Sequence, residues 1–178
     1  MSTETQIATQ YLTFYVAGGE YAVEIVQVRE IIPYGEVTRL PRAPDFVRGL
    51  INVRGSVVPV IDLAVRLGLP ETQRQPRSCV VIIELVLEGE RTRIGMITDN
   101  VNQVVELGAP DIAPPPNLGA PEGTSFVRAV GKSALRFILI LDIDAVCGPE
   151  AMRAAWSGLS GSVATGASGE PLDHAGAS

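Results

Sequence analysis

The apolar residues of this chain are mostly β-branched and come in short runs that glycine and proline keep interrupting. Its 178 residues include 21 Val and 14 Ile, against 4 Phe, 4 Tyr and 1 Trp. A branched Cβ stiffens χ1 on a helix but packs well on a pleated surface, so such runs read as strands. With 18 Gly and 13 Pro as punctuation, roughly ten short strands and little helix are expected, an all-β barrel or paired-barrel architecture. Some rows alternate, but Cys79–Ile83 and Phe137–Leu141 are continuous. Continuous rows belong to strands buried on both faces, as in a core between two barrels. The length suits one ordinary domain or two small barrels sharing a core. No internal repeat in the sequence is strong enough to prove duplication.

Along the chain, Tyr11–Val16 and Glu20–Ile25 form a hairpin across Gly18 and Gly19. Between Ile25 and Ile32 the apolar spacing fits a helical turn about as well as a strand, and Pro33 and Gly35 end it. Val37–Leu40 is a brief extended piece stopped by Pro41 and Pro44. In Phe46–Leu63 two apolar strands flank a tight turn at Arg54, Gly55 and Ser56, where Gly55 can take a positive φ. Pro59 cannot donate to a ladder and marks an edge position or a bulge. Leu63–Leu67 reads as one helical turn capped by Gly68, with a polar loop to Arg77. Cys79–Leu87 and Arg91–Thr98 pair across Glu88, Gly89 and Glu90, and Val101–Leu107 is a third strand. The prolines in Gly108–Pro121 make that stretch a connector. Phe126–Val130 and Leu135–Asp142 form a last hairpin across Gly131, Lys132 and Ser133. Residues 1–9 are expected to be flexible, 10–147 to form the domain, and 148–178 to hold a short helix (149–156) and a disordered Gly/Ala/Ser-rich tail.

Several function classes are disfavoured. With 14 basic and 20 acidic residues, the formal charge is −6, a poor match for nucleic acid, whose binding needs a basic stripe. The N-terminus lacks the basic and apolar regions of a signal peptide. The strongest apolar run, Phe137–Leu141, is far short of the about 18 residues that a spanning helix needs, so a cytoplasmic protein with no membrane insertion is expected. Cys79 and Cys147 are too few for a disulfide framework or zinc site and read as buried thiols. The single His, His174, falls in the tail, away from any place for acid–base chemistry. No nucleophile elbow and no glycine-rich phosphate loop occurs. Asp62, Asp99, Asp142 and Asp144 lie near strand ends; a carboxylate dyad or a divalent-ion site is conceivable there, but capping of the next turn is the simpler reading. No enzyme, cofactor or metal is expected.

The block Gly49–Leu63 closely resembles the signature of the CheW family, an N-[LV]-R-G turn (Asn52 to Gly55) followed by V-x-P-[IV]-[IV]-D-L (Val57 to Leu63). Other segments fit the same pattern in order and spacing: Glu30–Ile32, Val37–Pro41 with Ala43 and Pro44, Ile94 and Gly95 with Asp99 and Val101, Val104 and Val105, Ile112 with Pro114 and Pro116, and Ile138–Ile143. One departure is Ala129, where the family usually has Gly. The resemblance covers about residues 10–147. It implies two five-stranded barrels of the Src-homology-3 type around a shared hydrophobic core, with short helical turns. It also implies a non-enzymatic adaptor linking chemoreceptor cytoplasmic tips to the regulatory domain of a CheA-type histidine kinase, at arrays on the inner face of the membrane.

The family's receptor-facing groove maps onto Val28, Glu30, Arg54, Val80, Val101 and Val104; kinase-binding residues are not assigned. Arg54 is the leading contact, since an Arg at a turn tip can make forked bonds to a carboxylate or to helix carbonyls. A local salt bridge bracing the turn, with Glu30 as one candidate partner, is its structural alternative. Each valine is as readily core as groove, and Gly49 and Gly55 read as backbone requirements. Competing readings are an adaptor of a non-flagellar chemosensory array serving pili or second-messenger control, a module of a larger receiver fusion or kinase, and a small-molecule-binding β-barrel. The start at Met1 and the absence of a following receiver or kinase segment weigh against the module; the scarcity of convergent polar side chains weighs against the last.

Overall fold

A computed structural model describes residues 8–115 and 126–148. The expected tail, its short helix and His174 lie outside the described residues, as does most of the N-terminal segment, although β1 already begins at Thr9.

Among the described residues, eleven strands form two sheets. The first sheet takes the middle of the chain: β3 (Val28–Pro33), β4 (Val47–Val53), β5 (Ser56–Asp62), β6 (Cys79–Leu87) and β7 (Glu90–Thr98), in the order β3-β6-β7-β5-β4. The second joins the N-terminal hairpin, β1 (Thr9–Val16) and β2 (Gly19–Glu24), to β8 (Asn100–Leu107), β9 (Ile112–Ala113), β10 (Val127–Ser133) and β11 (Arg136–Leu141), in the order β8-β1-β2-β11-β10-β9. The chain thus starts in one sheet, builds the other, and returns. Each sheet has one parallel pair, β5 with β7 and β11 with β2. The segment that follows β3 reaches the other edge of the first sheet, β4, where Thr38 and Leu50 exchange backbone hydrogen bonds of 2.8 and 2.7 Å. In the second, the 3-10 turn Ala109–Asp111 carries the chain from one edge strand, β8, to the other, β9. The two-residue β9 makes this a six-stranded sheet rather than five, inside a stretch expected to be connector only.

Period-two alternation sorts the side chains into three cores. Val58, Val60, Val80, Ile82 and Ile97 fill the first sheet, while Tyr11, Ala22, Ile138 and Ile140 fill the second. The opposite faces of the same strands, with Phe14, Val23, Ile61, Val81, Ile83, Ile94, Met96 and Leu141 among them, form one larger core between the sheets. The continuous row of β6 is explained by this, with Val80 and Ile82 pointing one way and Val81 and Ile83 the other. In β11, Ile138 and Ile140 face the second core and Leu139 and Leu141 the shared one, whereas Phe137 is exposed. At about 1.5–3 kcal/mol per buried aliphatic side chain, the shared core is the main bond between the halves.

Two one-turn helices plug its ends. α1 (Leu63–Arg66) is capped by Asp62 and α2 (Ile143–Val146) by Asp142. Their hairpins are laid out alike: the Asp62 N–H donates to Phe46 O at 2.7 Å, and the Asp142 N–H donates to Phe126 O at 2.8 Å. Both hairpins change register at the same place, between Val47 and Gly49 and between Val127 and Ala129. Phe46, Val47 and Arg48 correspond to Phe126, Val127 and Arg128; Asp62 corresponds to Asp142, and Gly68 to Gly148. Val28–Ile32 and Val101–Val105 begin the same two units. A repeat therefore exists that sequence reading alone did not prove. Its few identities sit where capping, bulging and edge pairing recur, and everything between has diverged.

Two turns differ from expectation. The last hairpin turns at Ala134 and Leu135, not at Gly131–Ser133, which belong to β10. Gly131 is small for packing: a Cβ there would stand 2.6 Å from Leu107 Cδ1. The first hairpin turns at Ala17 and Gly18, both at positive φ, with Gly19 already in β2. Residues Ile25–Gln27 form a 3-10 turn before β3, which resolves the ambiguity in that segment. Pro59 lies just before β5 meets β7 at Val60, where only β4 flanks it, so its missing N–H costs no ladder bond. Cys147 is buried and Cys79 only half-buried; neither is in a disulfide.

Candidate partner-binding surface

Arg54 and Gly55 are the two central residues of the β4–β5 turn, with φ of 53° and 86°. Two successive positive φ values match the right-handed twist of a tight hairpin. Gly55 adopts its value freely, whereas an L-residue such as Arg54 is strained there by about 1 kcal/mol. The Asn52 side chain steadies the turn, its Oδ1 accepting from the Gly55 N–H at 2.8 Å. This geometry pushes the Arg54 side chain into solvent, 81% exposed, where its Nη2 lies 3.2 Å from Glu30 Oε2. Glu30 stands on β3 at the opposite edge of the sheet from β4. The ion pair therefore links the two edges.

The other expected contact residues separate into three kinds of place. Val28 opens β3 and Val101 lies near the start of β8; both are half-buried and pack against the rim of the shared core. Val104, on β8, is exposed. Val80 is different: it is 1% exposed, inside the first sheet, and its Cγ1 occupies the space above Gly95, where a Cβ would come within 2.6 Å. Placing Val80 in a groove is corrected on this ground, since a partner does not reach a side chain sealed in the core of the first sheet. Its position in a continuous apolar row left the facing undetermined. Ile31 was missed and is exposed on β3, at the place in its unit that Val104 holds in the other. The recurring pattern of Val28, Ile31 and Ile32 with Val101, Val104 and Val105 was the available signal.

Gly49 meets a backbone requirement of its own. Its φ is +146°, and a Cβ would lie 2.0 Å from Thr38 O. Only glycine lets β4 approach Thr38 closely enough to close the sheet. Gly55, by contrast, has open space around it and is needed for its φ alone.

The strand-end aspartates act as caps. Asp62, fully buried, accepts from the Ala64 N–H at 3.1 Å, the Thr72 N–H at 3.0 Å and the Thr72 hydroxyl at 2.8 Å, and pairs with Arg48 at 2.6 Å. Burial works against the Arg48 charge, but the Glu71 hydrogen bond and the charges of Asp62 and Glu71 outweigh it and hold the guanidinium above its usual range. Asp142 accepts from the Ala145 N–H, and Asp99 from the Ala17 N–H. Among the described residues no cluster of His, Cys, Asp and Glu is arranged to hold a metal ion. Nor does any described helix have the length and apolarity to cross a membrane.

Edge strands with half-buried valines, beside a charged turn that leans across the sheet seam, are the equipment of a protein-binding scaffold. The chain belongs to the CheW family: residues 10–149 match the CheW-like domain. It is 30% identical over 146 residues to the chemotaxis protein CheW of Klebsiella aerogenes, spanning 82% of this chain and 86% of that one. To the chemotaxis protein CheW of Bacillus subtilis it is 31% identical over 160 residues, spanning 87% and 97%. Among solved structures, the scaffolding protein TtCheW of Thermoanaerobacter tengcongensis is similar with a TM-score of 0.70 and 28% identity, over 82% of this chain and 96% of that one.

Proposed function

We propose that this chain is a non-enzymatic chemotaxis scaffold, joining the cytoplasmic tips of chemoreceptors to the regulatory domain of a CheA-type histidine kinase at arrays on the inner face of the membrane. The observation that carries this reading is the family match across residues 10–149, which takes in both sheets and the Arg54 turn. The receptor-facing surface in this reading consists of Val28, Glu30, Arg54, Val101 and Val104, with Ile31 added and Val80 supporting β6 from within. Apolar contact supplies the affinity, and the charged pair supplies register.

The exposure of Arg54 supports its role. A solvent-exposed ion pair is worth about 0–1 kcal/mol, so the guanidinium can exchange Glu30 for a partner carboxylate at little cost to the fold. The test is co-precipitation of the purified protein with a kinase regulatory domain and with a receptor cytoplasmic fragment, comparing the wild type with Arg54→Glu. Both partners should bind the wild type, and the receptor fragment should be lost from the folded variant. Failure to bind either cognate partner would place the function in another signalling system.

A further inference from the structure

A cavity of about 220 Å³ opens between the segment that follows β3 and the loop that follows α1, and its walls carry three guanidinium groups, those of Arg39, Arg48 and Arg74. That concentration of positive charge is out of keeping with a chain whose net charge is −6. The single acid on the lining is Glu71. It is more than half exposed and pairs with Arg48, which also holds the buried Asp62. Even after both carboxylates are counted against Arg48, the charges of Arg39 and Arg74 remain. Among the described residues neither of these two makes an ion pair.

The three side chains are differently prepared. Arg74 is held in place: its Nη1 donates to Gly35 O at 2.9 Å, and its guanidinium lies 5.8 Å from the centre of the Tyr34 ring. One edge of the fork is thus tied down while the rest of its donors stay free. Arg48 is fixed by its two carboxylates, yet its Nε–H is the one buried side-chain polar atom among the described residues without a hydrogen-bond partner. That nitrogen is sealed inside the protein, so Arg48 lends the cavity its charge while Arg39 and Arg74 offer the reachable donors. Arg39 is exposed and uncommitted, with its charge free to meet a ligand.

We propose that this cavity binds a small phosphorylated anion through the guanidinium groups of Arg39 and Arg74, which line it together with Arg48. Forked guanidinium donors match the oxygens of a phosphoryl group. A volume of about 220 Å³ accommodates a ligand of the size of a diphosphate. The site shares no lining residue with the surface around Arg54 and stands independently of the adaptor reading.

The test is calorimetric titration of the full chain with inorganic pyrophosphate at low salt, with citrate as a carboxylate control. Arg39→Ala and Arg74→Ala are the informative variants, because both side chains are exposed and neither braces a cap; thermal melts check that they remain folded. Saturable binding of pyrophosphate, weakened about tenfold or more in each variant and stronger than that of citrate, is the expected result. Absence of heat up to about 10 mM pyrophosphate would overturn the proposal. So would unchanged binding in both variants, and citrate binding as tight as pyrophosphate would overturn the phosphoryl assignment.

Discussion

Asp62 and Asp142 hold the same place in the two units of this protein, each ending an inner strand, capping a one-turn helix and donating its backbone N–H to a phenylalanine carbonyl, Phe46 O and Phe126 O respectively. Their side chains have diverged in what else they hold. Asp62 is sealed from solvent and gathers Thr72 and Arg48 besides its cap, whereas the described partner of the half-buried Asp142 carboxylate is the Ala145 N–H.

The two caps should therefore differ in cost. Asp62→Ala leaves Arg48 with Glu71 as its described carboxylate partner but strands two Thr72 donors, and is expected to destabilise by about 2–4 kcal/mol. Asp142→Ala is expected to lose about 1 kcal/mol, an ordinary N-cap value. Urea unfolding of both variants measures this; equal losses would mean that the Asp62 network contributes nothing beyond its cap.

Arg66 is the polar clasp between the units. Its guanidinium lies 4.6 Å from the Phe46 ring centre and 4.8 Å from that of Phe126, while its Nε and Nη2 donate to Val146 O and Ala145 O at the end of α2. Lysine keeps the charge but loses the planar face and the fork. Arg66→Lys should cost about 1–3 kcal/mol, seen as a lower urea midpoint with an unchanged slope. A midpoint equal to that of the wild type would show the clasp to be ornamental.

Gly49 and Gly55 separate two reasons for glycine. Gly55→Ala meets no atom within 4 Å and should lose about 1 kcal/mol to its left-handed φ alone. Gly49→Ala drives a Cβ into Thr38 O and pushes apart the hydrogen bonds that close the first sheet. A loss above about 3 kcal/mol is expected there, together with faster amide exchange at Leu50. Equal losses at the two sites would mean that the closure is soft.

Cys147 provides a pH signature. Burial raises its thiol from 9.0 to about 12, with the charge of Arg66 opposing and that of Asp144 adding. The folded state holds the proton more tightly than the unfolded one, so this stabilisation is complete below about pH 9 and is lost as pH rises toward 12, at about 1.4 kcal/mol per pH unit. Cys147→Ala should flatten the alkaline limb of the stability curve over that window. In the native wild type, a thiol reagent at pH 8 should modify the half-buried Cys79 and spare Cys147.

What the sequence determined by itself was whatever is written locally. Branched residues and interrupted runs made the strands, and the continuous row at Cys79–Ile83 required two buried faces, as did Ile138–Leu141 but not the exposed Phe137 that begins the second row. The turn at Arg54 and Gly55 and the caps at Asp62 and Asp142 were legible from residue type. Tertiary structure decided which way each residue faces and what it meets. Val80 and Val81 are neighbours of one chemistry, yet one lies in the core of the first sheet and the other in the shared core, because a period of two carries no label for inside. Gly131 reads as a turn residue because sequence does not show Leu107 pressing on it, and Ala134 takes the turn instead because the pairing of β10 with β11 fixes the register. The contact of Arg54 with Glu30 and the gathering of Arg39, Arg48 and Arg74 join segments far apart along the chain. Such encounters exist only once the sheets close, since closure, not local preference, sets distances between strands remote in sequence.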